Sequence, residues 1–421
     1  MNNTLVTIIG ALIFFALIML SVMMHELGHF IPGKLFKVKV TQFFLGFGKN
    51  IWKTQRGETE YGVKIFPLGG YVRMLGMYPP HKEDKDTWLK RVADSAREAE
   101  WDEITDEDLE SRRMYFQKPL WQRMVIMLSG VMMNILLAFG LFLGVNLAYG
   151  AEQSSTEIAR VWECIDPAAD ICTPTPAASM GLQVGDRITA FNGTTFERWD
   201  DLTAAIRANG DRSVQLDILR DGAPMKLPKV QGMINTVNDP DNPGQTIEVG
   251  FLGVTSGYEM VKVGPVQTLQ EMWTMTSESV KAIVKLPVTA VTMIIDMVTG
   301  QPRDPNGPIS IVGASVIAGD VAAADAPAST RIAFYLRLLA GVNLFVGVIN
   351  LVPLLPFDGG HVAAGIFEGI RRGFAKLRGK PDPGPADTAK LLPVTYVVFA
   401  LLCLIGITFI VADIIAPVRL N

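Results

Sequence analysis

The stretch His25-Glu26-Leu27-Gly28-His29 combines residue types and spacing that read directly as chemistry. On a helix, positions i and i+4 share a face, so both imidazoles can reach one Zn2+ while Glu26 stands beside a bound water as general base. H-E-x-x-H is short, and on a soluble helix two histidines commonly do no more than face solvent. Here the motif ends an apolar run from Leu5 to Met24. A charged side chain at mid-membrane costs about 2.5–3.5 kcal/mol, so ionisable residues in such a run are functional by default. A catalytic zinc takes three protein ligands and keeps a fourth position for water. The chain has 4 histidines, the other two being His81 and His361, and the acidic residues near membrane depth are Asp358, Glu368, Asp296 and Asp413. Asp358 and His361 share the segment Asn350-Leu351-Val352-Pro353-Leu354-Leu355-Pro356-Phe357-Asp358-Gly359-Gly360-His361, where two prolines stop a helix and two glycines let the backbone turn. An aspartate before Gly-Gly is ordinarily a turn residue. Broken helix at membrane depth, however, is tolerated only where it is buried in protein or lines a cavity. Spacing alone does not choose between Asp358 and His361.

These residues must be positioned by membrane helices. The chain has 421 residues, 49% of them hydrophobic and 19% charged, with mean hydropathy +0.27, which disfavours a soluble protein. A net charge of -4 leaves no basic surface for nucleic acid. Three cysteines without C-x-x-C spacing exclude a disulfide scaffold and a cysteine zinc site. Four segments are apolar over the roughly 20 residues that a crossing requires: Leu5 to Met24, Val125 to Tyr149, Ile332 to Val352 and Leu391 to Ala416. The first lacks a positive n-region and a small-residue cleavage site, so it reads as a retained helix, not a signal peptide. Lys and Arg cluster at 34–39, at 112–123 and at 371–380, which predicts those loops on the cytoplasmic side. Residues 151–330 and both termini are then extracytoplasmic. The apolar stretch 282–300 carries Lys285, Pro287 and Asp296, and a crossing there would separate Asp358 from the first span's histidines, so 265–300 is expected as amphipathic helices on the outer interface.

Two soluble parts remain. The insert at 81–113, dense in Asp, Glu, Lys and Arg, reads as a solvated helical segment without catalytic chemistry. Residues 157–258 alternate turns and short strands at 178–182, 185–188, 191–193 and 218–222 around a helix from Asp200 to Ala208, and resemble a bacterial PDZ domain. Residues 43–73 alternate apolar and polar positions with glycine turns and predict a small β-sheet. Cys164 and Cys172, on the outer side, are compatible with a short-loop disulfide. Cys403, inside the fourth span, reads as a packed hydrophobe.

Together, the H-E-x-x-H of the first span, the N-x-x-P…D-G after the third and the intervening PDZ-like segment resemble the site-2 protease family of intramembrane zinc metalloproteases, in its bacterial single-PDZ branch. The resemblance implies zinc ligands His25, His29 and Asp358, a catalytic acid/base Glu26, and Asn350 orienting substrate in the active site. Gly130-Val131-Met132-Met133-Asn134 matches the family's G-x-x-x-N, and Gly307-Pro308-Ile309 its G-P-I stretch. The second proline of the family's aspartate motif lies one residue earlier than Pro356, and Phe357 stands for its Leu. The resemblance also makes the 43–73 sheet membrane-embedded, with an edge that pairs with an extended substrate.

The expected architecture is a polytopic α-helical membrane protein with four transmembrane helices, a small membrane-associated sheet and an extracytoplasmic PDZ domain. Its segments are 1–40 (first span), 41–80 (sheet), 81–122 (charged insert and interfacial segment), 123–150 (second span), 157–258 (PDZ), 265–330 (amphipathic helices), 331–370 (third span), 371–390 (cytoplasmic loop) and 391–416 (fourth span). The expected function is a zinc-dependent intramembrane endoprotease of the bacterial plasma membrane. Its substrates are single-span proteins such as anti-sigma factors after an outer cleavage, or remnant signal peptides. The rivals are a zinc transporter, which needs polar residues in spans two and four that are scarce, and a membrane-anchored PDZ scaffold, which an intact Glu26 disfavours.

Overall fold

The computed structural model describes residues 3–80, 88–165, 172–238, 246–301, 303 and 307–417. His81 and the Asp166 to Asp170 stretch between Cys164 and Cys172 lie outside the described residues. The chain forms two compact units, Met1–Leu147 with Gly264–Asn421, and Ala148–Val263.

In the first unit, α1 (Asn3–Leu35) continues past the apolar run and carries the whole H-E-x-x-H motif in its last three turns. A hairpin follows, β1 (Val40–Arg56) and β2 (Thr59–Met74), paired antiparallel with several register shifts. Helices α2 (Trp88–Trp101) and α3 (Asp106–Glu110) make up the charged insert, and α4 (Leu120–Ala148) is the second long apolar helix.

The second unit begins with β3 (Ala151–Val161) and a one-turn helix α5 (Pro176–Ser179) capped by Thr175. After β4 (Arg187–Phe191) and β5 (Thr194–Thr195) comes α6 (Trp199–Asn209), then β6 (Leu216–Arg220), β7 (Ala223–Lys226), β8 (Met233–Asn238), β9 (Thr246–Phe251) and β10 (Val254–Val261). The main sheet has the order β10-β3-β4-β6-β7, with β5 beside β4 and a separate β8-β9 ribbon. Its core gathers Leu216 and Ile218, two apart on β6 as strand alternation supplies, with Ile188 and Phe191 of β4 and Leu202 of α6. Asp186, buried beneath this sheet, accepts two hydrogen bonds from Arg220 at 2.8 and 2.7 Å. Cys164 and Cys172 form a disulfide.

The chain returns to the first unit through α7 (Pro265–Thr299), α8 (Ile311–Ala323), α9 (Ala328–Asn350), α10 (Asp358–Leu377) and α11 (Leu392–Ile415). Among the described residues five helices are long and apolar enough to cross a membrane: α1, α4, α7, α9 and the helix ending at Ile415. This corrects the reading of 265–300 as several helices, and by length and composition the count is five where four were expected. Pro287 does not break α7, because packing on both sides of it holds the helix. Met272, Met275 and Ile283 join α4 and α9 in one apolar cluster, and Ala290 and Met293 pack on Ile405, Phe409 and Ala412 of α11. In its first turns Thr268 and Glu271 accept hydrogen bonds from Asn146 at the end of α4, at 3.0 and 3.1 Å.

Two further expectations change. The insert is docked and not merely solvated: Glu100, 8% exposed, accepts backbone N–H bonds from Gly76, Met77 and Tyr78 at 2.7, 2.9 and 3.1 Å. Arg97 is also buried and reaches Asp94, Asp387 and the Pro79 carbonyl. Charge density hid this, because a buried carboxylate satisfied by three backbone donors leaves no apolar pattern in the sequence. Cys403 faces outward from α11 and is not packed within the bundle.

Candidate metal centre and active site

The last turns of α1 set His25 and His29 one helical turn apart, with rings 4.8 Å between centroids and nearly perpendicular. Both are buried, at 8% and 5% exposure. The His29 Nδ1 donates to the Ile126 carbonyl of α4 at 2.8 Å, which orients the ring with Nε2 inward. His25 Nε2 lies 3.2 Å from His29 Nε2. Asp358, first residue of α10, brings Oδ2 to 3.2 Å from His25 Nε2 and 3.1 Å from His29 Nε2.

Three ligand atoms therefore meet at one point. Ligands about 2.0–2.1 Å from a tetrahedral centre stand roughly 3.3 Å from one another, and the observed separations lie within about 0.2 Å of that. Asp358 Oδ2 is also buried without a hydrogen-bond partner, as is His25 Nδ1. Buried lone pairs facing one another without protons are costly, and a divalent cation relieves the cost. The donor set fits zinc, with two imidazoles, one carboxylate and a fourth position left for water.

Asp358 reaches this point because the segment after α9 folds tightly. The Phe357 N–H donates to the Leu354 carbonyl at 3.0 Å and the Gly360 N–H to the Phe357 carbonyl at 2.9 Å. A Cβ on Gly359 would stand 2.4 Å from the Leu351 and Val352 carbonyl oxygens, and one on Gly360 2.5 Å from the Leu355 nitrogen. The glycine pair lets the start of α10 close on the turn before it. His361, one turn further on, lines a separate 20 Å³ cavity with Tyr115, Arg123 and Glu368. Among the described residues, the group of three or more His, Cys, Asp or Glu able to hold a metal is His25, His29 and Asp358. Glu368 is engaged by Arg123, Arg372 and the Ala386 N–H, and Asp413 by Arg303 and the Ser310 N–H. Asp296 lies near the end of α7, its carbonyl accepting the Gly300 N–H.

Glu26 follows His25 and meets the hairpin. A Cβ on Gly70 of β2 would come 3.0 Å from the Glu26 Cγ. The strand β2 thus holds the carboxylate beside the histidines. Asn350 is the half-buried last residue of α9 and starts the turn that ends at Asp358.

The backbone of α4 supports the site in a way that spacing did not reveal. A Cβ on Gly130 would stand 2.2 Å from His29 Nε2, and one on Gly28 2.6 Å from the Ser129 carbonyl oxygen. Glycine at both places lets α1 and α4 touch backbone to backbone, and the only advance signal was the G-x-x-x-N resemblance. Asn134, one turn beyond Gly130, is 1% exposed with an unpartnered Oδ1 and lies against Gly347 of α9. Gly130→Ala is expected to displace the His29 ring and to lower both zinc content and hydrolysis by at least tenfold, the scale on which disturbing a ligand's orientation acts. Metal analysis of the purified variant checks this, and wild-type zinc content would contradict it.

A protein-family model described as Peptidase family M50 matches residues 13–381. This chain belongs to peptidase family M50. Similar proteins include "Zinc metalloprotease Rip1" of Mycobacterium tuberculosis, 32% identical with 98% of each chain covered. "Zinc metalloprotease RasP" of Geobacillus kaustophilus is 26% identical over 95% of this chain and 94% of its own. "Metalloprotease MmpA" of Caulobacter vibrioides is 25% identical over 83% and 84%. The family match runs through every element that builds the M50 site here, from the end of α1 to α10.

Proposed function

We propose that this M50 peptidase is a zinc-dependent endoprotease of the bacterial cell membrane that hydrolyses peptide bonds in or beside the transmembrane helix of single-span proteins. The observation that carries the reading is the convergence of His25, His29 and Asp358 beside Glu26 at the end of an apolar helix. His25, His29 and Asp358 are the residues that would hold zinc. When bound, zinc polarises the scissile carbonyl and lowers the pKa of water. Glu26 takes the proton of the attacking water and returns it to the leaving amine. The close approach of Gly70 in β2 keeps that carboxylate beside the site. Asn350, where the chain leaves α9, is suited to orient substrate backbone. A peptide bond within a helix is shielded, so the substrate helix must unwind first, and the open edge of the β1-β2 hairpin offers it backbone partners.

Four helices, α1, α4, α9 and α11, cross the bilayer in this proposal, and α7 lies at the outer interface. Its contacts support this. The first turns of α7 bond to the end of α4, and its last turns pack near the end of α11, so both ends of α7 belong to the same end of the bundle. Residues 157–258 are a PDZ domain that, like both termini, is extracytoplasmic, and it filters substrates, admitting anti-sigma-factor-like proteins after an earlier outer cleavage. A transporter reading is weaker, because conduction needs a path of sites and the described residues offer one cluster.

Reconstituted enzyme with a single-span reporter tests the reading. A chelator is expected to stop cleavage and added zinc to restore it; cleavage that persists after zinc is removed would overturn the zinc assignment. In whole cells, a cysteine introduced near Glu100 is expected to resist an impermeant thiol reagent, and its labelling would reverse the orientation.

A further inference from the structure

At the end of the bundle where α1 finishes and α4 begins, a group of charges takes no part in the peptidase chemistry. A cleft of about 410 Å³ is lined by Lys34, Lys37, Glu58, Ser111, Arg113 and Lys118. Four cations face one carboxylate, leaving three positive charges in excess. Glu58 is shared by Lys34 at 2.7 Å and Arg113 at 2.6 Å. Lys118 donates only to the Arg112 carbonyl, at 2.7 Å, and among the described residues Lys37 forms no ion pair. Burial and the charges of Arg113 and Lys37 hold the Lys118 ammonium below its ordinary range, as expected of cations crowded without a counterion.

Basic residues beside membrane helices commonly follow from orientation alone. Scattered singly, they would need no shared cleft and would not repel one another. Here Lys34 lies in the last turn of α1 and Lys118 two residues before α4. Lys34 closes one apolar helix and Lys118 precedes another, and basic residues flanking spanning helices are drawn to acidic lipid headgroups. Glu58 is in the turn between β1 and β2. The cleft thus joins the end of α1, the hairpin tip and the segment leading into α4.

We propose that this cleft binds the phosphate of an acidic phospholipid headgroup, with Lys37, Lys118 and Arg113 as its donors. The anion balances the excess charge and ties the hairpin to α1 and α4. A lipid is favoured over free phosphate because the cations flank the ends of apolar helices, and acidic lipid is concentrated at the membrane surface that such ends meet. A net charge of -4 over the whole chain leaves this as a local feature and not part of a basic surface.

The test uses full-length, zinc-loaded protein in a neutral detergent, titrated with short-chain phosphatidylglycerol, phosphatidylcholine or inorganic phosphate while thermal unfolding is followed. Phosphatidylglycerol is expected to raise Tm saturably, and phosphatidylcholine is not. Lys37→Gln is expected to weaken the effect about fivefold, and Lys37→Gln with Lys118→Gln about twenty-five-fold. Lys37 is exposed, so its single variant is readable even where the double variant does not fold. An equal response to phosphatidylcholine, or an unchanged response in Lys37→Gln, overturns the site. An equal response to inorganic phosphate at the same concentration overturns the lipid as its occupant. Binding is read without hydrolysis, so this proposal and the peptidase reading fail independently.

Discussion

Glu26→Gln protein is expected to fold, to keep its zinc, and to hydrolyse a single-span reporter about 10²- to 10⁴-fold more slowly, the range for loss of a positioned general base. The amide has the shape of the carboxylate and leaves the close approach of Gly70 to the side chain unchanged, so the hairpin keeps its place against α1. It cannot take a proton from water near neutral pH. His25, His29 and Asp358 are untouched, so metal content separates this effect from loss of the site. Comparing membrane-protein fragments in cells with the wild-type and Glu26→Gln proteins would also reveal the substrates, since only active protein generates them. Hydrolysis within tenfold of wild type would remove Glu26 from the chemistry.

The second large effect is a contrast between two residues three positions apart. Asp358→Ala is expected to lower zinc affinity more than a hundredfold, because loss of an outer hydrogen-bonding partner alone costs 10- to 100-fold and a ligand contributes more. His361→Ala is expected to purify with full zinc, since His361 lines the cavity of Tyr115, Arg123 and Glu368 and not the space between the histidines. Metal analysis of the two variants decides between them. Full zinc in Asp358→Ala, or none in His361→Ala, would reverse the ligand assignment.

The difference between these residues was not legible from spacing, and the reason is geometric. Both belong to the same short segment, and which one faces the histidines depends on where the helix begins after Pro356. The helix starts at Asp358, so the aspartate stands at its first position against the histidines of α1, while His361, one turn further along, lines the cavity of Tyr115, Arg123 and Glu368. The pairing of His25 with His29, by contrast, follows from helical periodicity and needed no tertiary information. The four long apolar runs, the hairpin near 43–73 and the strands after residue 150 were likewise local patterns. What local pattern did not disclose was contact made by absence or by backbone. Gly130 matters through the side chain it lacks, and Glu100 through three N–H groups of a distant turn. The 265–299 helix was misread as several because Lys285, Pro287 and Asp296 are local breaks that neighbouring α4, α9 and α11 override.

The distribution of the ligands along the chain also has a consequence in time. Two of the proposed ligands and the proposed base lie within the first 29 residues, while Asp358 follows 329 positions after His29 (358 minus 29). At roughly 5–20 residues per second of synthesis, the third ligand emerges about 15–65 seconds after the first two. Until then, α1 sits in the bilayer with a paired-histidine motif but no complete cage. A ribosome that stalls, or a message cut short before α10, therefore releases a membrane anchor and not a protease. With Asp358 as the third ligand, catalytic competence waits for the last third of the polypeptide, and an incomplete copy inserted in the membrane lacks it.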